Sequence, residues 1–229
     1  MEHIWEFRVL LLQGIGWTVL VSICSLIISV IFGLFGAWGK LGKHPLANKV
    51  TNGYTTIVRG IPDLVLMLLL FYGGQQLLND IGKQTGLWKY VEINQFAAAV
   101  MTIGFIFGAY MTETFRGAIL AIPHGQIEAG IACGMSKGQI FRRIIWPQMV
   151  RYALPSFTNN WLVLMKTTAL ASVLGLQELT YVARSVGAKY REQFTFLFFA
   201  LIVYLIFTAI SEYGLRRLDK KYNVGVRRA

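Results

Sequence analysis

Five ionisable side chains fall inside long apolar runs of this sequence: Arg59 and Asp63, Glu113 and Arg116, and Lys166. A charge at bilayer depth is costly, so such groups pair with one another, line a water-filled cavity or snorkel to the boundary. Counting about 1.5 Å per helical residue from the nearest basic connection puts Arg59 about 12 Å and Glu113 about 10 Å deep, with Asp63 about 18 Å and Lys166 about 16 Å. Two opposite-charge pairings at matched depth follow, Arg59 with Glu113 and Asp63 with Lys166, while Arg116 is close enough to the boundary to snorkel. The competing reading is that part of the set lines a path for a polar solute. Gly60 and Pro62 interrupt the helical run around Arg59 and Asp63 and leave carbonyls free, which is tolerated only where they face protein or cavity water. Asn159 and Asn160, just beyond Pro155, add amide donors and acceptors.

Signatures of covalent chemistry are missing. The sequence has no G-x-x-x-x-G-K-[ST] phosphate loop, no H-E-x-x-H and no G-x-S-x-G. His3, His44 and His124 are far apart, and Cys24 and Cys133 form neither a CxxC nor a metal-ligand spacing. A self-contained enzyme is therefore not expected, nor a cofactor in this chain. If the chain drives transport, the energy comes from a partner.

The elements that position these residues read as membrane spans. Of 229 residues 55% are hydrophobic and 14% charged, against about 25% charged in a soluble domain. A bilayer core needs about 20 apolar helical residues, and five segments qualify, at about 17–38, 51–78, 95–120, 154–176 and 194–215. Together they make a single all-α domain over 1–229. The stretch 177–193 is too polar to span and is expected as a short amphipathic helix or loop at the surface. The N-terminal MEHIWEF lacks a basic n-region, so the first apolar run is expected to remain in the mature protein. Lys and Arg concentrate after the first, third and fifth segments, and the positive-inside rule then puts the N-terminus outside and the C-terminus in the cytoplasm. The net charge of +11 reads as anchoring at the cytoplasmic leaflet, to lipid or to acidic protein, and not as nucleic-acid binding.

Between the third and fourth segments lies a cytoplasmic loop, 121–153, too long to be structureless. Residues 126–133 and 136–145 are predicted to form two short helices around a turn at Gly134, with Ser136 as N-cap and Pro147 where the chain bends into the fourth span. Ile140, Phe141, Ile144 and Ile145 make an apolar stripe. It suits either insertion into a groove of a cytoplasmic partner or contact with the bilayer surface. The spacing Glu128-Ala129-Gly130, Gly134, Ile144 and Pro147 resembles the EAA loop of permease subunits of binding-protein-dependent ABC importers, E-A-A-x3-G-x9-I-x-L-P. Gly130 stands for the second Ala, and Trp146 for the Leu.

The likeness extends along the chain. Arg59-Gly60-Ile61-Pro62 is similar to the R-G-x-P segment of the polar amino-acid uptake subfamily. Residues 109–118 are similar to its A-Y-x-[TS]-E-x-F-R-G-A segment. Asn159-Asn160-Trp161, residues 166–170 and the C-terminal residues 222–226 resemble the permeases of histidine and lysine/arginine/ornithine importers more narrowly. The resemblance implies a type I importer permease fold and an inner-membrane complex. In it a HisM-like second permease and two ATPase subunits that bind ATP and Mg accompany this chain, and a periplasmic amino-acid-binding protein delivers the solute. Glu113 would then meet a substrate's cationic end, with Asp63, Arg59, Asn159, Asn160 and Lys166 along the path. Glu128, Ala129, Gly130, Gly134, Ile144 and Pro147 would couple to the ATPase. An ion-coupled secondary transporter, or a structural subunit without a path, are the alternatives; no inverted repeat favours the former.

Overall fold

The computed structural model describes residues 2–223. Val224, Gly225 and Val226 of the C-terminal motif, with Arg227 and Arg228 of the basic tail, lie outside the described residues. Among the described residues every regular element is helical: α1 Glu2–Glu6, α2 Arg8–Leu41, α3 Pro45–Gly60, α4 Asp63–Leu68, α5 Gly74–Thr85, α6 Gln95–Leu120, α7 His124–Ala132, α8 Lys137–Ile140, α9 Trp146–Thr167, α10 Leu179–Tyr190 and α11 Gln193–Tyr222. One π-helical turn, Leu69–Gly73, joins α4 to α5, and another, Phe141–Ile145, joins α8 to α9; the 3-10 segment Thr168–Leu174 prolongs α9.

Four helices are long and apolar enough to cross a membrane: Arg8–Leu41, Asp63–Thr85, Gln95–Leu120 and Gln193–Tyr222. Lys137–Leu174 and Leu179–Tyr190 qualify only together, as a pair bent by 51°. The third expected span coincides with α6, and the second is interrupted at Gly60–Pro62 as its sequence predicts. Pro62 disfavours helical backbone at Ile61, which is extended (φ −109°, ψ 140°), so the chain leaves α3 at Gly60 and re-enters helix at Asp63. The stretch 177–193 holds the expected amphipathic helix, α10, but its apolar face is packed into the bundle. Leu179, Val182, Ala183 and Val186 of α10 are buried against Leu11, Phe196, Ala200 and Val203, and only the opposite face, with Arg184 and Lys189, is exposed. A helix with one apolar stripe reads as polar on average, and that average hid the stripe.

α6 is the centre of the bundle, and α2 runs beside it in the same direction: Ser25 Oγ donates to the Val100 carbonyl at 3.4 Å, and eleven residues later Gly36 lies against Thr112. The buried face of α2 is made of small residues at spacings of three and four, namely Gly14, Thr18, Ser22, Ser25, Ser29, Gly33 and Gly36. Lipid tails are as apolar as leucine, so helices in a bilayer gain by close backbone approach and dispersion. A Cβ on Gly36 would stand 2.1 Å from Thr112 Oγ1. Interhelical hydrogen bonds add only about 0.6 kcal/mol each on average, which leaves packing as the main force between α2 and α6.

Candidate functional site

Glu113 projects from α6 between two cations. Lys40 Nζ donates to its Oε1, and Arg116 Nε donates to its Oε2 at 2.9 Å. Lys40, read from sequence as part of the first basic connection, instead lies in the last turn of α2 with its side chain only 9% exposed. The parallel course of α2 and α6 brings it level with Glu113. The pairings inferred from matched depth are corrected here: among the described residues no ion pair joins Arg59 to Glu113 or Asp63 to Lys166. Depth counting fixes height along a helix but not azimuth. Arg59, at the end of α3, lies instead over the Tyr110 ring, 5.4 Å from its centroid.

Tyr110 stands in the electrostatic field of both Arg59 and Asp63 and begins a polar row across three elements. Thr114 Oγ1 donates to the Tyr110 carbonyl at 3.1 Å, and Asn160 Nδ2 donates to Thr114 Oγ1 at 3.0 Å. The row thus joins Arg59, before the α3–α4 break, through α6 to Asn160 on α9, with Asp63 just past that break in the chain. Asn159, Val163 and Lys166 lie exposed at helical spacing along α9. Sequence reasoning had listed most of these groups separately, but Tyr110 and Thr114, which link them, were missed; both stood inside a motif read for its Glu and Arg.

The loop after α6 folds back through α7 and α8. Gly134 is left-handed (φ 74°) between them, as the turn reading requires. Ser136 forms a full capping box with Gln139: its backbone N–H donates to Gln139 Oε1 at 2.8 Å, and its Oγ accepts from the Gln139 backbone at 3.4 Å. The second loop helix does not end at Pro147. Helical structure continues from Lys137 to Leu174, and the π turn Phe141–Ile145 precedes the proline, so Pro147 opens α9 without a break in the helix. Three of the four residues of the apolar stripe face inward, and Phe141 does not. Ile140 is buried, Ile145 packs beneath the spans, and a Cβ on Gly130 would lie 2.8 Å from Ile144 Cδ1. Glycine in place of the second alanine thus seats Ile144 against α7. What the loop shows outward is Glu128, Ala129, Ile131, Phe141 and the arginines Arg142 and Arg143.

A further carboxylate was missed altogether. Glu178 is 0% exposed and caps α10. It accepts from the backbone N–H groups of Tyr181 (2.7 Å) and Thr180 (2.9 Å) and from the hydroxyls of Tyr204 (3.2 Å) and Thr18 (3.3 Å). Thr18 Oγ1 also accepts the Leu179 N–H at 3.1 Å. One side chain therefore ties α2, α10 and α11 together. The available signal was an acid directly before an apolar-periodic segment, an N-cap signature passed over because the segment was taken as surface.

Comparison with known proteins followed these observations. The family model described as "Binding-protein-dependent transport system inner membrane component" matches residues 29–224. The histidine/lysine/arginine/ornithine transport system permease protein HisQ of Escherichia coli K12 is 46% identical over 226 residues, 99% of each chain. The octopine transport system permease protein OccQ of Rhizobium meliloti is 37% identical over 95% of this chain and 92% of its own. Among solved structures, one described as an amino acid ABC transporter with histidines superposes with a TM-score of 0.81 at 26% identity, covering 96% of this chain and 97% of that one.

Proposed function

Because the chain belongs to the family of binding-protein-dependent transport system inner membrane components, we propose that it is the permease subunit of an ABC importer for cationic and polar L-amino acids: histidine, lysine, arginine and ornithine. It crosses the inner membrane five times, the bent pair of Lys137–Leu174 and Leu179–Tyr190 supplying one crossing, with the N-terminus periplasmic and the C-terminus cytoplasmic. A HisM-like second permease covers its polar face. Two ATPase subunits bind ATP and Mg and supply the energy, and a periplasmic binding protein delivers the amino acid.

The observation that carries the path is the polar row of Arg59, Asp63, Tyr110, Thr114, Asn160 and Asn159. Unpaired charge and amide groups on the surface of spanning helices are too costly to leave against lipid, so this face meets the second permease across a wet path. Asp63 takes first place for the substrate's cationic end, because Glu113 is already neutralised by Lys40 and Arg116. Arg59 suits the α-carboxylate, and Asn159 and Asn160 the ammonium. Movement of the ATPases reaches α9 directly, since loop helix α8 continues into that span without a break.

Two measurements test the reading. In the reconstituted complex, Asp63→Asn should cut arginine uptake at least tenfold while ATP hydrolysis without substrate is retained; unchanged uptake removes Asp63 from the path. A cysteine at His44 or Lys137 should label only from the cytoplasmic side, and labelling from outside overturns the topology.

A further inference from the structure

The end of α2 and the start of α3 enclose a groove of about 750 Å³, within the range of about 300–1,000 Å³ that holds small ligands. Its walls are Phe35, Trp38, Leu46 and Val50, and its mouth carries Lys43 and His44. The walls are open: Trp38 is 74% and Leu46 70% exposed. The local charge is one-sided, for the sequence has no acid between Glu6 and Asp63. Lys40 is neutralised by Glu113, but Lys43 and Lys49 meet no acid among the described residues. Trp38 beside lysines is the composition of a membrane boundary. An apolar slot under unanswered cations at that level calls for a molecule with a hydrocarbon body and an anionic head.

We propose that this groove is a binding site for an anionic phospholipid, with an acyl chain along Phe35, Trp38, Leu46 and Val50 and the phosphate held by Lys43 and His44 in the added field of Lys49. That the lipid belongs to the cytoplasmic leaflet rests on the topology proposed above; the site itself does not. Occupancy ties the α2–α3 hairpin, and through Lys40 and Glu113 the inner end of α6, to the membrane's charge.

The test is native mass spectrometry of the assembled importer released from membranes containing equal amounts of phosphatidylglycerol and phosphatidylcholine. The wild type should retain phosphatidylglycerol preferentially. The double change Lys43→Gln, Lys49→Gln should reduce that preference by at least tenfold, since each cation near an anionic surface contributes about fivefold. Ala47→Trp, which fills the groove without altering charge, should abolish retention. Co-purification with the ATPase verifies that each variant has assembled. A photoreactive phosphatidylglycerol should crosslink within residues 35–51 of the wild type, which keeps the site testable even if a variant fails to assemble. Equal retention of both lipids, retention undiminished in either variant, or crosslinks confined elsewhere overturn the proposal, as does a crosslinker at Trp38 that captures the second permease instead of lipid. Retention in detergent is independent of orientation, so failure of the His44 labelling test would move the lipid to the other leaflet without removing its site.

Discussion

Glu178 and Glu113 are both carboxylates within a membrane domain, and the fold treats them in opposite ways. Glu178 is fully buried and held by four neutral donors, two backbone N–H groups and two hydroxyls from α2 and α11. Glu113 is partly exposed, and Lys40 and Arg116 surround it with charge. Dipoles that are fixed, complete and shielded from water make a rigid joint. The charge–charge contacts are softer on the Arg116 side, where the side chain is 38% exposed and reaches water. The joint at Glu178 is thus the more rigidly held part of the molecule, and the region from Glu113 to the loop helices is held by softer contacts.

The sharpest break of this contrast is Glu178→Ala. It orphans two partly buried backbone donors at about 1–3 kcal/mol each, a loss of about 2 kcal/mol or more. Little assembled complex should survive purification, and what survives should couple hydrolysis to uptake normally; a stable complex with poor coupling would show that the joint moves. Gly134→Asp is the converse. No neighbouring atom crowds a Cβ there and aspartate tolerates the left-handed region, so stability should change by about 1 kcal/mol or less. Stimulation of ATP hydrolysis by liganded binding protein should nevertheless fall at least tenfold, because in the proposed complex this turn meets the ATPase; normal stimulation and uptake would reduce the loop to a surface helix pair. The smallest effect is expected from Glu113→Gln. The amide oxygen still accepts from Lys40, and arginine and histidine uptake at about pH 8, where histidine is mostly neutral, should drop by a similar factor of about three. A selective loss of arginine would instead put Glu113 in contact with the substrate's cation.

Much of the fold was legible from local signals. Long apolar runs mark spans because a bilayer admits little else, and the boundaries of α6 follow directly. The Gly134 turn and the Ser136 cap were also legible, since both use interactions within four residues. The errors share a cause. Pro147 was read as a bend between two helices, but helical structure runs through it by way of a π turn that begins five residues after Ser136. The region 177–193 was read as an amphipathic helix or loop at the surface, and its apolar stripe finds its main partners on the distant helices α2 and α11.

What the sequence determined by itself was the solvent of this protein, the helical content, the break at Pro62 and the two-helix loop around Gly134, because each depends on composition or on neighbours along the chain. Only the tertiary structure decided which charges meet. Lys40 reaches Glu113 because α2 and α6 run in parallel on a seam of small residues, Arg59 turns to Tyr110 because α3 ends where it does, and Glu178 is buried because three distant helices converge on it. Partner choice between side chains more than a turn apart depends on azimuth and helix direction, and neither is encoded in hydropathy or spacing.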